Sequence, residues 1–311
     1  MLRELVNRCR PLPSGSRLLI LGRGYSGGTL SQLFQGLGTP VLGTRRQPNR
    51  GPADLCFDSD AGLAPNLDEI PDITHVISCI PPTRDGRDPV LDQLLPLLRQ
   101  LPLRWAGYLS TTGVYGDTGG RWVGESDTAN PGQERSRRRL DCERAWLDSG
   151  LPVQILRLPG IYGPGRSVIN TLLQGRARLI NKPGQVFCRV HVEDIAGASL
   201  HLMHCAEAGQ RPDIVNICDD CPAPSSDLLR FAATLLECPL PAEESFNESR
   251  EGMSAMARSF WSENRRVSNG LLRQQLGYEL LHPDFRSGLQ DCWQQDVNQV
   301  GTSSESQSAI D

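Results

Sequence analysis

The chain has 311 residues, of which 38% are hydrophobic and 22% are charged, a composition typical of a folded globular protein. Its formal net charge of -4 lacks the basic surplus that binding to a nucleic-acid backbone requires. The apolar runs are too short to cross a bilayer, and no apolar signal segment opens the chain. We therefore expect a cytoplasmic protein that binds neither nucleic acid nor membranes.

The ten cysteines are scattered along the chain, and we expect them to be reduced thiols. Cys218 and Cys221 have the spacing of a metal or redox pair, but no second pair of this kind accompanies them. His201, His204 and Cys205 are typical of one apolar face of a helix. The sequence therefore predicts no metal site.

Short apolar runs alternate with helical patterns over the first half of the chain. The predicted strands are residues 17–22, 40–44, 53–57, 73–79, 105–110 and 153–158, and the predicted helices are 25–34, 92–101 and 134–149. This alternation predicts an α/β protein with a Rossmann-type, doubly wound parallel sheet that helices cover on both faces.

The pattern is less regular after residue 160. It predicts helices at 167–174, 195–206, 226–236, 269–276 and 285–294, strands at 186–190 and 213–217, and a loop at 241–250. We predict a nucleotide-binding Rossmann core at 14–165. Residues 166–299 are expected to supply the remaining sheet elements and a small C-terminal substrate lobe, and the polar residues 300–311 a disordered tail.

A glycine-rich segment joins the first strand to the first helix. Gly22, Gly24 and Gly27 have the G-x-G-x-x-G spacing, in which the glycines allow a tight turn, close approach of a pyrophosphate and close helix packing. The helix N-terminus, which includes Tyr25 and Ser26, offers N–H groups and a partial positive charge to phosphates. Its position between strand and helix favours dinucleotide binding over an ordinary glycine turn.

The end of the second strand indicates which dinucleotide is bound. Sites for NAD have Asp or Glu about 20 residues after the glycine loop, whereas this chain has Thr44, Arg45 and Arg46 there. Arginines suit the 2′-phosphate of NADP. We therefore expect NADP in preference to NAD, although a solvated basic turn remains the alternative.

Four further motifs follow in order. Residues 109–117 read LSTTGVYGD, 156–165 read LRLPGIYGPG, 189–196 read RVHVEDIA and 215–220 read VNICDD. Together with the glycine loop, they resemble the extended short-chain dehydrogenases/reductases of the epimerase/dehydratase kind, over residues 17–294. The resemblance implies a small-molecule substrate, sometimes a sugar nucleotide, and dimers that pair through helices beside the sheet.

The resemblance also implies roles for individual residues. Asp58 matches the acid that contacts adenine, and Ile80 and Pro81 fall at cofactor contacts after the fourth strand. Tyr162 and Arg189 match positions beside the substrate, although Arg189 could equally form a structural ion pair. His191 and Asp194 are expected to hold the junction between the core and the lobe.

The family's catalytic motif is incomplete in this chain. Its chemistry uses Ser or Thr with Tyr-x-x-x-Lys, and the corresponding positions here are Thr111, Arg135 and Arg139. Arginine stays protonated near neutrality, so Arg135 cannot replace the tyrosine as a general acid. Arg139 could still hold the cofactor ribose, and Tyr115 or Tyr162 could supply the proton. A solvated helix face is the alternative for Arg139 and the favoured interpretation of Arg137 and Arg138.

Two functions remain open at this point. One is an atypical oxidoreductase or epimerase that acts on a hydroxyl or carbonyl compound. The other is a non-catalytic NADP(H)-binding sensor, regulator or assembly factor. The missing tyrosine favours the second function, whereas Thr111 and the substrate-lobe motifs favour the first.

Overall fold

Seven parallel strands form the central sheet of the computed structural model, which describes residues 2–47 and 54–305. The sheet order is β11-β7-β5-β4-β1-β2-β3. It therefore reverses its direction of growth between β1 and β4, where ligands bind in folds of this type. This confirms the predicted doubly wound sheet. The strands are β1 Leu18–Leu21, β2 Val41–Arg45, β3 Asp54–Cys56, β4 His75–Ser78, β5 Trp105–Thr111, β6 Trp122–Val123, β7 Val153–Leu158, β8 Gly160–Tyr162, β9 Leu179–Asn181, β10 Arg189–His191, β11 Ile214–Asn216, β12 Glu243–Ser245 and β13 Arg266–Val267.

Helices cover both faces of the sheet. Leu18 and Ile20 of β1 pack into the core under α2 and α6, whereas Leu19 and Leu21 face the core under α3 and α4. All four residues are fully buried, which explains why this strand reads as a continuous apolar run. The helices are α1 Arg3–Arg8, α2 Tyr25–Gly36, α3 Pro89–Leu98, α4 Glu134–Leu147, α5 Val168–Leu173, α6 Val192–Glu207, α7 Ser225–Leu235, α8 Phe246–Arg250, α9 Ala255–Trp261 and α10 Phe285–Glu305.

The C-terminal region differs from the sequence prediction in several places, among them β9, α9 and β13, which the sequence did not predict. The predicted loop at 241–250 is wrong, because β12 pairs with β9 and α8 begins at a capping box formed by Ser245 and Glu248. The predicted strand at 186–190 starts only at Arg189. The predicted tail is wrong at its start, because α10 continues to Glu305. Extending an existing helix adds one hydrogen bond for each residue that is fixed, so its propagation costs little. Residues 306–311 lie outside the described part.

The described helices include none that is both long and apolar enough to cross a lipid bilayer.

A buried ion pair joins α4 to the sheet. Arg157 on β7 donates to both carboxylate oxygens of Glu143, with a shortest distance of 2.7 Å, and both side chains are at most 4% exposed. The hydroxyl of Ser110 on β5 donates to the same carboxylate. The Arg157 guanidinium lies 4.8 Å from the centre of the Tyr115 ring. This network fixes α4 against the ends of β5 and β7.

We predict that Arg157→Met lowers the free energy of unfolding by about 3–5 kcal/mol, because it leaves the Glu143 carboxylate buried without its partner. Replacing both residues, with Arg157→Met and Glu143→Leu, should recover most of that loss. The exposed pair Arg144–Asp141 on the same helix offers a matched control, and Arg144→Met should cost less than about 1 kcal/mol. Urea unfolding measures all three variants. Equal losses for Arg157→Met and Arg144→Met would contradict the structural role of the buried pair.

Candidate functional site

The glycine loop turns sharply between β1 and α2. Gly22 has φ +87°, and a Cβ at this position would lie 2.8 Å from the side chain of Ile80. A Cβ on Gly27 would lie 2.5 Å from the carbonyl oxygen of Gly22, so only glycine allows α2 to start this close to the strand. Gly24 has no heavy atom within 4 Å of where its Cβ would be. The loop therefore leaves open space beside Gly24, as a bound pyrophosphate requires.

Thr44 at the end of β2 holds this loop in place. Its side-chain oxygen accepts the N–H of Gly22 at 2.9 Å, and its carbonyl oxygen accepts the N–H of Arg23 at 2.8 Å. Thr44 is buried. The sequence predicted Thr44 as a cofactor contact. Its hydrogen bonds in the structure indicate that it supports the glycine loop.

A cleft of about 350 Å³ lies between this loop and the ends of β2, β3 and β4. Arg45 and Arg46 line it on one side, and Ile80 and Pro81 line it on the other. Arg46 is largely exposed and lies 3.8 Å from the Asp60 carboxylate. The structure thus brings together the two arginines, the glycine loop and the residues after β4.

Asp58 and Tyr25 each have a hydrogen-bond partner within the protein. Asp58 bonds within its own turn, because its carboxylate accepts the N–H of Asp60 at 3.1 Å, and it is absent from the residues that line the cleft in the described part of the chain. Tyr25 donates its hydroxyl to the carbonyl oxygen of Pro164 at 3.0 Å. Tyr25 therefore links the nucleotide loop to the turn after β8.

A larger cleft of about 500 Å³ lies next to the first, and Pro81 lines both. Thr111, Gly113, Ser136 and Arg139 line its inner side. The larger cleft therefore lies over the end of β5 and the start of α4, where the sequence places the catalytic positions.

Thr111 and Arg139 are held in defined positions. The side-chain oxygen of Thr111 accepts the N–H of Gly113 at 3.1 Å, which leaves the hydroxyl proton free to be donated to a ligand. One Nη atom of Arg139 donates to the Tyr108 hydroxyl at 3.1 Å and to the Leu109 carbonyl oxygen at 3.0 Å. Arg139 thus brings its charge to the cleft and is not part of a solvated helix face.

Tyr115 does not line the larger cleft. The ring is buried, and its hydroxyl donates to the Asn216 side-chain oxygen at 2.9 Å. Burial raises the pKa of this phenol, while the Arg157 charge opposes the rise. The position of Tyr115 indicates packing between β5 and β11 and does not suit proton donation in the cleft.

Tyr162 and Arg189 line a neighbouring cleft of about 480 Å³. Tyr162 packs edge-on against His191 with ring centres 5.1 Å apart, and burial raises its pKa well above the usual value. Arg189 donates to the carbonyl oxygens of Phe187 and Ala223 at 2.8 and 3.0 Å. Burial lowers its pKa. Both residues line this cleft, but the hydrogen bonds of Arg189 go to main-chain oxygens of the protein, which is a structural role.

Besides Arg84, two charged residues that line the larger cleft were not predicted from the sequence. Glu263 is buried, and its carboxylate accepts from Arg265 at 2.7 Å. The same nitrogen of Arg265 donates to the carbonyl oxygen of Gly116 at 2.6 Å. No motif marks these residues, since they come from a loop more than 140 positions after Gly116. Gly116 follows β5 in the chain, and only folding brings Arg265 into contact with it.

The junction behind the cleft contains the expected residues. The Asp194 carboxylate accepts the Tyr278 hydroxyl at 3.1 Å and the N–H groups of Leu281 and His282 at 2.7 and 2.9 Å. His191 caps α6 by accepting the N–H of Glu193 at 3.4 Å, and burial together with the His282 charge lowers its pKa to about 2. These bonds connect α6 to the segment before α10.

The cysteine and histidine groups noted in the sequence also have main-chain partners. Cys218 is buried and donates to the carbonyl oxygen of Val267, and His201 lies 2.7 Å from the carbonyl oxygen of Leu276. His204 lies 3.1 Å from that of Arg10. Each side chain thus ties neighbouring segments together.

The chain is similar to several known proteins, although no family model matches it. It is 27% identical over 224 residues to the Escherichia coli (strain K12) protein YeeZ. The aligned region covers 65% of this chain and 77% of that protein. A functionally unknown conserved protein from Silicibacter pomeroyi is 38% identical, with a TM-score of 0.79 over 90% of this chain and 98% of that one.

Two further solved structures add cofactor information. A Methylobacillus flagellatus protein assigned as an NAD-dependent epimerase/dehydratase is 27% identical, with a TM-score of 0.66 over 88% of this chain and 96% of that one. The human epimerase family protein SDR39U1, solved with NADPH, is 18% identical and shares the fold with a TM-score of 0.68, over 89% of this chain and 99% of that one. The seven-stranded sheet and these neighbours agree with the ordered motifs, and the chain is an atypical member of the extended short-chain dehydrogenase/reductase family.

Proposed function

We propose that this protein binds NADP(H) along the edge of the sheet, from the glycine loop to Thr111. The two neighbouring clefts, of about 350 and 500 Å³, support this proposal, because Pro81 after β4 lines both. The open space beside Gly24 fits a pyrophosphate. Gly22, Gly24, Tyr25, Ser26 and Gly27 would then surround the phosphates at the start of α2, with Ile80 and Pro81 along the dinucleotide.

The preference for NADP over NAD rests on charge at the end of β2. Arg45 and Arg46 line the smaller cleft, and no carboxylate is among its described lining residues. A 2′-phosphate would be stabilised by guanidinium groups, whereas a ribose 2′-hydroxyl would find no carboxylate acceptor there. Asp58 bonds within its own turn and offers no substitute.

We predict that NADPH binds more tightly than NADH, and that replacing both Arg45 and Arg46 with Gln weakens NADPH binding by about tenfold or more, because each charge-assisted phosphate contact contributes strongly. Binding of NADH should change little. Titrating both nucleotides by fluorescence measures the two constants in each protein. Tighter binding of NADH by the unaltered protein would overturn the preference.

Gly24 offers a separate test of where the pyrophosphate lies. Gly24→Ala should still fold, because no atom approaches the added methyl group, but it should lose some stability, since ψ of -143° lies outside the regions that residues with a Cβ favour. It should nevertheless weaken NADPH binding, since the methyl group would fill the space that a pyrophosphate needs. Gly28→Ala is the matched control, as its added methyl group also meets no neighbour. It should gain about 0.5–1 kcal/mol of stability inside α2 and keep its NADPH affinity. Equal affinities for the two variants would place the pyrophosphate elsewhere.

We further propose an oxidoreductase or epimerase that acts on a small hydroxyl or carbonyl compound. The open cleft of about 500 Å³ beside Thr111 carries this proposal, because it leaves room for a substrate next to the ribose-binding position at Arg139. A bound nicotinamide supplies or accepts a hydride. Thr111 would orient the substrate oxygen by donating its hydroxyl proton, and Arg139 would hold the ribose.

A non-catalytic NADP(H)-binding role is the second candidate. No tyrosine is found among the described residues that line the larger cleft, and Tyr115 has Asn216 as its partner. Positioning alone can sustain some hydride transfer, since general acid catalysis contributes about 10²–10⁴-fold. Oxidation of NADPH, followed with a panel of carbonyl substrates and with Thr111→Val as a control, separates the two functions. Turnover that Thr111→Val abolishes supports an enzyme, and the absence of turnover in a protein that binds NADPH supports a sensor or regulator.

A further inference from the structure

The larger cleft carries an excess of positive charge that the proposed cofactor does not explain. Five arginines and a single glutamate are the charged residues among its described lining: Arg84, Arg135, Arg138, Arg139, Arg265 and Glu263. A cleft that concentrates one sign of charge attracts and holds ligands of the opposite sign.

Two of these arginines are neutralised by carboxylates. Arg138 pairs with Glu134 at 3.2 Å, and Arg265 pairs with Glu263 at 2.7 Å. No carboxylate among the described residues pairs with the other three. Within that part of the chain, the hydrogen-bond partners of Arg139 are the neutral oxygens of Tyr108 and Leu109.

Arg84 and Arg135 are exposed at the cleft. Neither has an ion-pair or hydrogen-bond partner within residues 2–47 and 54–305. Their donors are therefore free for a ligand, and binding one would displace only water.

The cofactor phosphates do not account for this charge. The glycine loop and the arginines at the end of β2 line the smaller cleft, whereas Arg135 and Arg139 lie on α4 beside Thr111. The parts of a dinucleotide that would reach Thr111 are a ribose and a nicotinamide. Only Arg139 is expected to contact the ribose, which leaves Arg84 and Arg135 for another molecule.

We propose that the larger cleft binds an oxyanion of the substrate, a carboxylate or a phosphate, through Arg135 and Arg84 next to the reacting carbon. This inference rests on the proposed function and narrows it to an anionic substrate. Arg135 occupies the position where the family has its catalytic tyrosine. The guanidinium there would bind and orient the substrate through paired hydrogen bonds and would not transfer a proton.

The test measures anion binding by the full-length protein, without reliance on turnover. Malonate and inorganic phosphate are titrated by calorimetry at constant ionic strength, with and without saturating NADPH. Constant ionic strength is needed because exposed charges are strongly screened. Malonate reports on a carboxylate and phosphate on a phosphoryl group, and saturable binding of either one with NADPH present supports the site.

Arg135→Gln should weaken the binding of that anion by about tenfold or more, because it removes a charge-assisted pair. Arg137→Gln is the matched control. It removes the same charge from the same helix, but Arg137 is exposed, pairs with Glu134 and does not line the cleft. It should change the affinity by less than about twofold.

Equal effects of Arg135→Gln and Arg137→Gln would overturn the proposal, as would the absence of saturable binding of either anion. Anion binding lost in Arg46→Gln but kept in Arg135→Gln would place the anion at the nucleotide end and would also overturn it. NADPH affinity, measured in the same proteins, keeps the two ideas apart. If NADPH binds normally while no anion binds, the anion site fails and the cofactor proposal stands.

Discussion

The position of β1 in the sheet determines where everything else in the site can lie. β1 pairs in parallel with β2 on one side and with β4 on the other. Because parallel strands end at the same edge, the glycine loop, the basic end of β2 and the residues after β4 all meet there. Thr44 then fixes the loop to β2 through Gly22. The two clefts along this edge follow from that arrangement.

The second constraint is the way α4 is anchored. The buried pair of Glu143 and Arg157 ties the helix to β7, and Ser110 ties it to β5. This anchoring brings Arg135 and Arg139 to the cleft that Thr111 also lines. In this protein the helix therefore presents positive charge at the position where the family resemblance implies a proton donor. This positive charge is the basis of the proposal that the larger cleft binds an anion.

The parts of the site that follow from local sequence were predictable. Gly22 and Gly27 each meet a steric condition that a short motif records, whereas Gly24 leaves open space beside the loop. β1 is buried on both faces and so reads as an unbroken apolar run. The roles of side chains that reach across the fold were less accessible. The sequence could not show that Tyr115 donates to Asn216, a residue 101 positions away. It also gave no sign of Glu263 and Arg265, which are set by the packing of a distant loop on Gly116.

The most direct test of this account is a crystal structure of the protein with NADPH bound. The account predicts that the 2′-phosphate lies against Arg45 and Arg46, the pyrophosphate beside Gly24, and the nicotinamide in the larger cleft near Thr111. A dinucleotide whose adenosine lies away from Arg45 and Arg46, or a larger cleft closed by side chains in the complex, would contradict it.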